Sequence, residues 1–278
     1  MTTTKIIAFV DILGFSKMIE DYDNGNPQIL ENLISAMNGA SNLIKAKLQH
    51  GSDVLFDFKE CLEAKLFSDC LCVSVPLEYG NQYTKYNIYD QFWFLCQYLS
   101  GYQILLLEKG IFTRGAITIG SYYSDENIIF SGGLVEAYNL ESKVAKYSRI
   151  IISDKLIGTF KNSDLKNNWD YSKILNIDDT DKPFLNSFNY RISTSDLADK
   201  IVDEFLSKMG TSGITDDSFS QKDLEDKNIK LAETFSFCEE ALSLTTCDKI
   251  QEKYLWMIDF INFELGNNNQ RKFRKYNF

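Results

Sequence analysis

Short apolar runs, bounded by glycine, proline and polar residues, predict strands over Lys5–Val10, Ala64–Phe67, Leu71–Val75, Ile111–Ile119, Asn127–Phe130 and Arg149–Ile152. Pro76 closes the third of these, and Gly120 to Asp125 reads as the turn between the fourth and fifth. Helical spacing fills the intervals. A helix starts at Asn26-Pro27 and carries Leu30, Leu33, Ile34, Met37, Leu43, Ile44 and Leu48 toward Gly51. A second, apolar on most sides, spans Tyr86 to Glu108 and ends at Lys109-Gly110, and a third runs from Leu134 to Lys146.

The order strand, helix, strand, strand, helix, strand predicts an α+β fold: a ferredoxin-like antiparallel sheet with helices on one face. Beyond about Ser153 the pattern changes. Residues 161–195 read as polar and loop-like, and Leu197–Met209 and Leu224–Leu265 as helical. The expectation is a core over 1–155 and a mainly helical C-terminal extension over 156–278 that packs on it. The basic tail Gln270–Lys275 reads as a solvated terminus, with an arm that touches phosphate or membrane as the alternative.

Two strand ends carry the chemistry. Ala8-Phe9-Val10-Asp11-Ile12-Leu13-Gly14-Phe15-Ser16 delivers one carboxylate out of an apolar run, and Lys65-Leu66-Phe67-Ser68-Asp69-Cys70 delivers another at a hairpin tip. Either aspartate alone is more often a turn or N-cap residue. Together, at the ends of buried segments where an unpaired charge costs several kcal/mol, they call for a cation. Strand-end carboxylates converging on Mg²⁺ are what phosphoryl-transfer sites use.

Composition narrows the classes. Hydrophobic residues make up 44% of the 278 and aromatics 14%, which suffices for a packed core. A net charge of −10 disfavours DNA or any extended polyanion as a partner but permits a nucleotide held through metal ions. The six cysteines lie mostly in apolar runs without CxxC spacing, so reduced thiols are expected, with no disulfide framework and no zinc site. His50 is the only histidine, which removes histidine-based catalysis. With no leader pattern and no apolar run of membrane-spanning length, the expectation is a cytoplasmic protein that does not engage a membrane.

With these segments placed, residues 5–153 resemble the catalytic domain of class III nucleotidyl cyclases, and most closely the pyrimidine cyclases of bacterial anti-phage (Pycsar) systems. Phe9–Ser16 resembles the first metal-binding strand and turn, and Phe67-Ser68-Asp69 the second metal-binding hairpin. Arg114-Gly115-Ala116-Ile117-Thr118-Ile119-Gly120 resembles the strand that follows, and Phe130–Ser142 with Ser148-Arg149-Ile150 the next helix and strand.

The resemblance implies that Asp11, Asp69 and the Ile12 carbonyl bind two divalent ions, Mg²⁺ or Mn²⁺. It implies a nucleoside triphosphate substrate, UTP or CTP, cyclised to its 3′,5′-monophosphate with release of pyrophosphate. A homodimer with the site between subunits is implied too, as is an effector protein that senses the cyclic product. The turn from Ile12 to Phe15 then offers amides to a triphosphate, and Arg114 adds charge there or pairs with a surface carboxylate. Lys65 falls where purine-specific relatives read the base. Lysine only donates hydrogen bonds, which suits uracil O4 and favours UTP, unless Lys65 is simply a surface residue.

The chain departs from the family at Val135 and Asn139, where purine cyclases carry a transition-state asparagine and arginine. Asn139 then hydrogen-bonds a phosphate and Arg149 supplies the missing cation. The alternatives are a cyclase-like module without catalysis and a purine cyclase.

Overall fold

The computed structural model describes residues 2–43, 47–50, 53–80, 85–165, 167, 169–189, 221–267 and 271–278. Its spine is β1 (Thr3–Ile12), apolar without a break from Ile6 to Val10, where it is buried on both faces. Alternation splits its side chains: Ile6, Ala8, Val10 and Ile12 enter the main core, while Ile7, Phe9 and Asp11 point to the opposite face. After β1 come α1 (Phe15–Asp23), α2 (Gln28–Leu43), a hairpin of β2 (Lys47–His50) and β3 (Asp53–Asp57), and the single turn α3 (Phe58–Cys61). The strands β4 (Glu63–Phe67), β5 (Cys70–Pro76), β6 (Tyr79–Gly80) and β7 (Lys85–Tyr86) lead into α4 (Ile88–Leu107).

Asn87 fixes the start of α4 with a capping box: its side chain accepts from the Tyr89 amide at 2.8 Å, and Asp90 accepts from the Asn87 amide at 2.8 Å. Next come β8 (Thr113–Ser124), β9 (Ile129–Phe130), α5 (Gly132–Leu140) with a π-helical turn over Glu141–Ala145, β10 (Ile150–Ile152) and α6 (Asp154–Lys161). The chain closes with β11 (Leu175–Ile177), β12 (Pro183–Leu185), α7 (Gln221–Leu244), α8 (Asp248–Glu264) and β13 (Arg274–Lys275).

The strands β8-β1-β5-β4 lie side by side and all antiparallel, which is the expected ferredoxin-like layer. One face buries α2, α4 and α6 in the main core. The other carries α5, with Tyr138 edge-on to Phe9 at 5.6 Å, and a second core in which Phe184 and Ile151 meet Trp256 and Phe260 of α8. The helical C-terminal part is therefore present.

Four expectations change. The helix expected to reach Gly51 stops at Leu43, because the runs flanking Gly51-Ser52 pair as β2 and β3. Gly120 is no turn: β8 runs straight through it, and a Cβ there would stand 2.7 Å from the Gly133 Cα, so the missing side chain lets α5 close on the sheet. Residues 161–195 are not only loop, since β11 and β12 continue the sheet beyond β10 and β13 pairs with β11. Three-residue strands are too short for periodicity to reveal.

The basic tail, finally, is docked. Phe273 is buried against Trp256 and Phe260 at 5.6 and 5.2 Å, while Arg274 and Lys275 pair with Asp181 and Glu264. The helix expected over Leu197–Met209 lies outside the described residues.

Candidate functional site

At the C-terminal end of β1, Asp11 pairs in register with Cys70 of β5 on one side and Arg114 of β8 on the other. Cross-strand neighbours point to the same face, so all three side chains emerge beside one another, away from the main core. Asp69 arrives from the two-residue turn between β4 and β5, where Ser68 holds a positive φ of 57°. The Ile12 amide donates to the Asp69 carbonyl at 3.1 Å and locks that turn onto β1. One ligand atom from each of Asp11, Asp69 and Cys70 lies within 4.8 Å of the other two.

The carboxylates repel each other in a half-buried setting. Burial, then the Asp69 charge, pushes the Asp11 carboxyl above its ordinary value, with Arg114 working against both. Burial and the same two aspartates push the Cys70 thiol up to about 12. Hard oxygen ligands converging there fit a divalent cation.

A second cluster borders the first. An Arg114 guanidinium nitrogen stands 3.7 Å from the Asp11 carboxylate, while its Nε donates to Glu141, which is 2% exposed. Glu141 opens the π-helical turn after α5, an irregularity that commonly marks functional sites. Lys253 of α8 joins this group, its pKa lowered by burial and then by the Arg114 charge. Contacts of α8 on either side hold it there: Tyr254 against Phe112 with ring centroids 5.4 Å apart, and Glu252 accepting from the Tyr147 hydroxyl at 2.8 Å.

The structure thus brings Asp11, Ile12, Asp69 and Arg114 together. Phe15 begins α1 just beyond, after Gly14 at φ 79°, and packs its ring on the main core. No side chain caps that helix start. Lys65 lies on the same face, with Nζ donating to the Asp125 carbonyl.

Asn139 does not reach a free site. Its amide donates to the Val135 carbonyl at 2.8 Å and its oxygen accepts from Lys143 at 2.7 Å. Arg149 is a correction: it is 1% exposed, bonded to the buried Asp178 and to Thr180, and ringed by Tyr147, Phe184 and Trp256. A guanidinium so enclosed is a structural ion pair, not a cation for substrate. Cys70, Glu141 and Lys253 were missed by sequence reasoning. A cysteine in an apolar run reads as core, and only the register of β5 against β1 sets it beside Asp11; the other two come from elements whose approach has no local signal.

No family model matches the chain, and no curated protein matches it. Solved structures do. Two structures of a bacterial light-regulated adenylyl cyclase superpose with TM-scores of 0.41 and 0.39, each at 13% identity over 73% of this chain. The chain spans 57% and 58% of their length. The catalytic core of a rhodopsin-guanylyl cyclase with converted specificity, in complex with ATPαS, superposes with a TM-score of 0.36 at 12% identity, over 66% of this chain and 96% of that one.

Proposed function

We propose that this chain is a nucleotidyl cyclase, converting a pyrimidine nucleoside triphosphate, UTP in preference to CTP, to the 3′,5′-cyclic monophosphate and pyrophosphate. The observation that carries the reading is the convergence of Asp11 and Asp69 at the end of a ferredoxin-like sheet, with Arg114 and Lys253 beside them. That set suits a site for a highly anionic ligand and its counter-ions. Asp11 and Asp69, with the Ile12 carbonyl, would hold the divalent ions. When bound, such ions supply Lewis acidity that makes the ribose 3′-hydroxyl a better nucleophile and neutralises phosphate charge.

The chain's own groups position the substrate. The uncapped amides at the start of α1, around Phe15, favour a phosphate. Arg114, steadied by Glu141, and Lys253 add positive charge beside Asp11. Lys65 keeps donor capacity beyond its bond to Asp125 and suits the O4 acceptor of uracil. In-line attack of the 3′-oxygen on the α-phosphorus forms one P–O bond, breaks the bond to pyrophosphate and releases the hydroxyl proton to solvent.

A homodimer is part of the proposal. So is a role in anti-phage defence, in which the cyclic product activates an effector protein that binds it.

A second reading, a nucleotide-binding module without catalysis, is favoured by the engagement of Asn139 and Arg149 in bonds of their own. One experiment separates the two. Purified protein is incubated with Mn²⁺ and each of ATP, GTP, CTP and UTP, and products are resolved by mass spectrometry. The expected result is cyclic UMP, lost by at least about a hundredfold in Asp11→Ala and Asp69→Ala. A cyclic purine would retain the reaction and remove the base assignment; metal-dependent nucleotide binding without product would favour the module.

A further inference from the structure

We propose that Asp178 and Trp256 are positioning residues for the candidate site: through Arg149 and Tyr147 they brace the π-helical turn that begins at Glu141, and Glu141 holds Arg114 beside Asp11. The inference rests on the proposed function for what Arg114 faces, and assigns to the C-terminal part of the chain the task of aiming it.

The turn over Glu141–Ala145 needs a brace. It ends at Lys146, a non-glycine residue at φ 53°, and a positive φ of that kind persists only where the surroundings impose it. The last carbonyls of a helix also lack partners inside it. Here the Arg149 Nε donates to the Ala145 carbonyl at 3.0 Å, which sets a buried positive charge at the C-terminal end of the helical run.

Arg149 is itself fixed by elements late in the chain. Its two other nitrogens meet Asp178 and, at 3.2 Å, Thr180. Asp178 follows β11 and has both oxygens engaged. Its Oδ1 accepts from the Thr180 amide and hydroxyl at 3.0 and 2.6 Å, and its Oδ2 accepts from Arg149 and, at 3.0 Å, from the indole N–H of Trp256 in α8. A carboxylate with four donors around it has little freedom to turn.

Tyr147 is held from the same helix. Its ring stacks on Trp256 with centroids 5.5 Å apart and planes 7° from parallel, and its hydroxyl donates to Glu252 at 2.8 Å. Ala145, Tyr147 and Arg149 are alternate residues on the way out of the turn, and each is tied to Asp178 or α8, Ala145 through Arg149. At the other end of the turn the buried Glu141 accepts from the Arg114 Nε, and a second Arg114 nitrogen stands 3.7 Å from Asp11. Bonded groups and one helical turn thus lead from Trp256 to Asp11. Loosening α8 should be felt at Arg114, whose own ion pairs are with Asp11 and Glu141.

The test reads Arg114 directly. The chain has five arginines, so the full-length protein labelled with ¹⁵N-arginine gives a short set of Nε–H signals, assigned with Arg114→Lys and Arg149→Lys. Trp256→Phe keeps an aromatic ring in the core and removes the indole donor to Asp178; its fold is checked by circular dichroism. The expected result is hydrogen exchange at least about tenfold faster at the Nε–H of Arg149 and also at that of Arg114. Phe160→Leu, a loss of aromatic packing in the other core, should leave both unchanged. Tyr147→Phe, which removes only the hydroxyl bond to Glu252, should speed Arg114 on the order of threefold and decides in place of Trp256→Phe if that variant does not fold.

Faster exchange at Arg149 with Arg114 as in wild type overturns the proposal, and so does an equal acceleration in Phe160→Leu. In the cyclase assay Trp256→Phe should raise the KM for UTP about fivefold, whereas a purely structural loss lowers kcat by reducing the folded fraction and leaves KM alone. Absence of any cyclic product from the wild-type protein would remove the proposed function, and the exchange at Arg114 would still decide the brace.

Discussion

Asp11 is held at an energetic cost in the ion-free protein. Burial and the Asp69 charge raise its folded pKa, and a raised carboxyl contributes stability that is present below the unfolded value and lost as pH rises through the folded one. Without divalent ions, Asp11→Asn should therefore melt above wild type at about pH 7, with the gap closing toward about pH 4. Adding Mn²⁺ should reverse the order, since an ion at a hundred times its dissociation constant stabilises the protein that binds it by about 2.7 kcal/mol. Thermal melts of the two proteins with and without chelator check both signs. A wild type that melts above Asp11→Asn in chelator at every pH would show that Arg114 outweighs the burial and the Asp69 charge.

Among the elements, α5 owes its position to what two glycines lack. A Cβ on Gly120 would meet the Gly133 backbone at 2.7 and 2.8 Å, a collision no rotamer relieves. Gly120→Ala should cost about 2 kcal/mol in urea denaturation, within the usual range for overpacking. Gly158, in α6 with open space around it, is the control: Gly158→Ala should stabilise by roughly 0.5–1 kcal/mol. If Gly120→Ala is as mild, the approach of α5 to β8 is looser than described. Because α5 leads directly into the turn bearing Glu141, the Gly120 substitution should also loosen the hold on Arg114.

Across the whole molecule, apolar side chains stay exposed along the sheet, from Phe67 at 43% beside the site, through Tyr138 at 53% and Val135 at 61% on α5, to Tyr123 at 38% and Phe130 at 67% where β9 pairs with the far end of β8. They come from β4, β8, β9 and α5, the elements on or bordering the face that carries Asp11. A grouping of this kind marks an interaction surface. The proposed homodimer would cover it. Phe130→Asp should raise the dimer dissociation constant at least about tenfold in sedimentation equilibrium, as expected for a buried aromatic anchor, without lowering the melting temperature of the monomer. A wild-type monomer at all concentrations would remove the dimer. At the opposite end of the sheet, β11 to β13 and α8 are joined by the Trp256 core and the Arg149–Asp178 pair.

The sequence by itself determined the ferredoxin-like order of elements and both carboxylate-bearing strand ends, because strand alternation, helical spacing and a polar residue breaking an apolar run are local signals. It misplaced what depends on a pairing or packing partner. Lys47–His50 became a strand because it had Asp53–Asp57 to pair with, and Gly120 looked like a turn because the helix lying over it is invisible from its neighbours. Arg149 read as a free cation because Asp178 lies far along the chain, and Phe273 as a frayed end because the aromatic core it enters is built from β12 and α8. Only the tertiary structure decided that Cys70 shares a face with Asp11 and that α8 brings Lys253 to Arg114: register and packing fix which side chains meet, and neither is written in local periodicity.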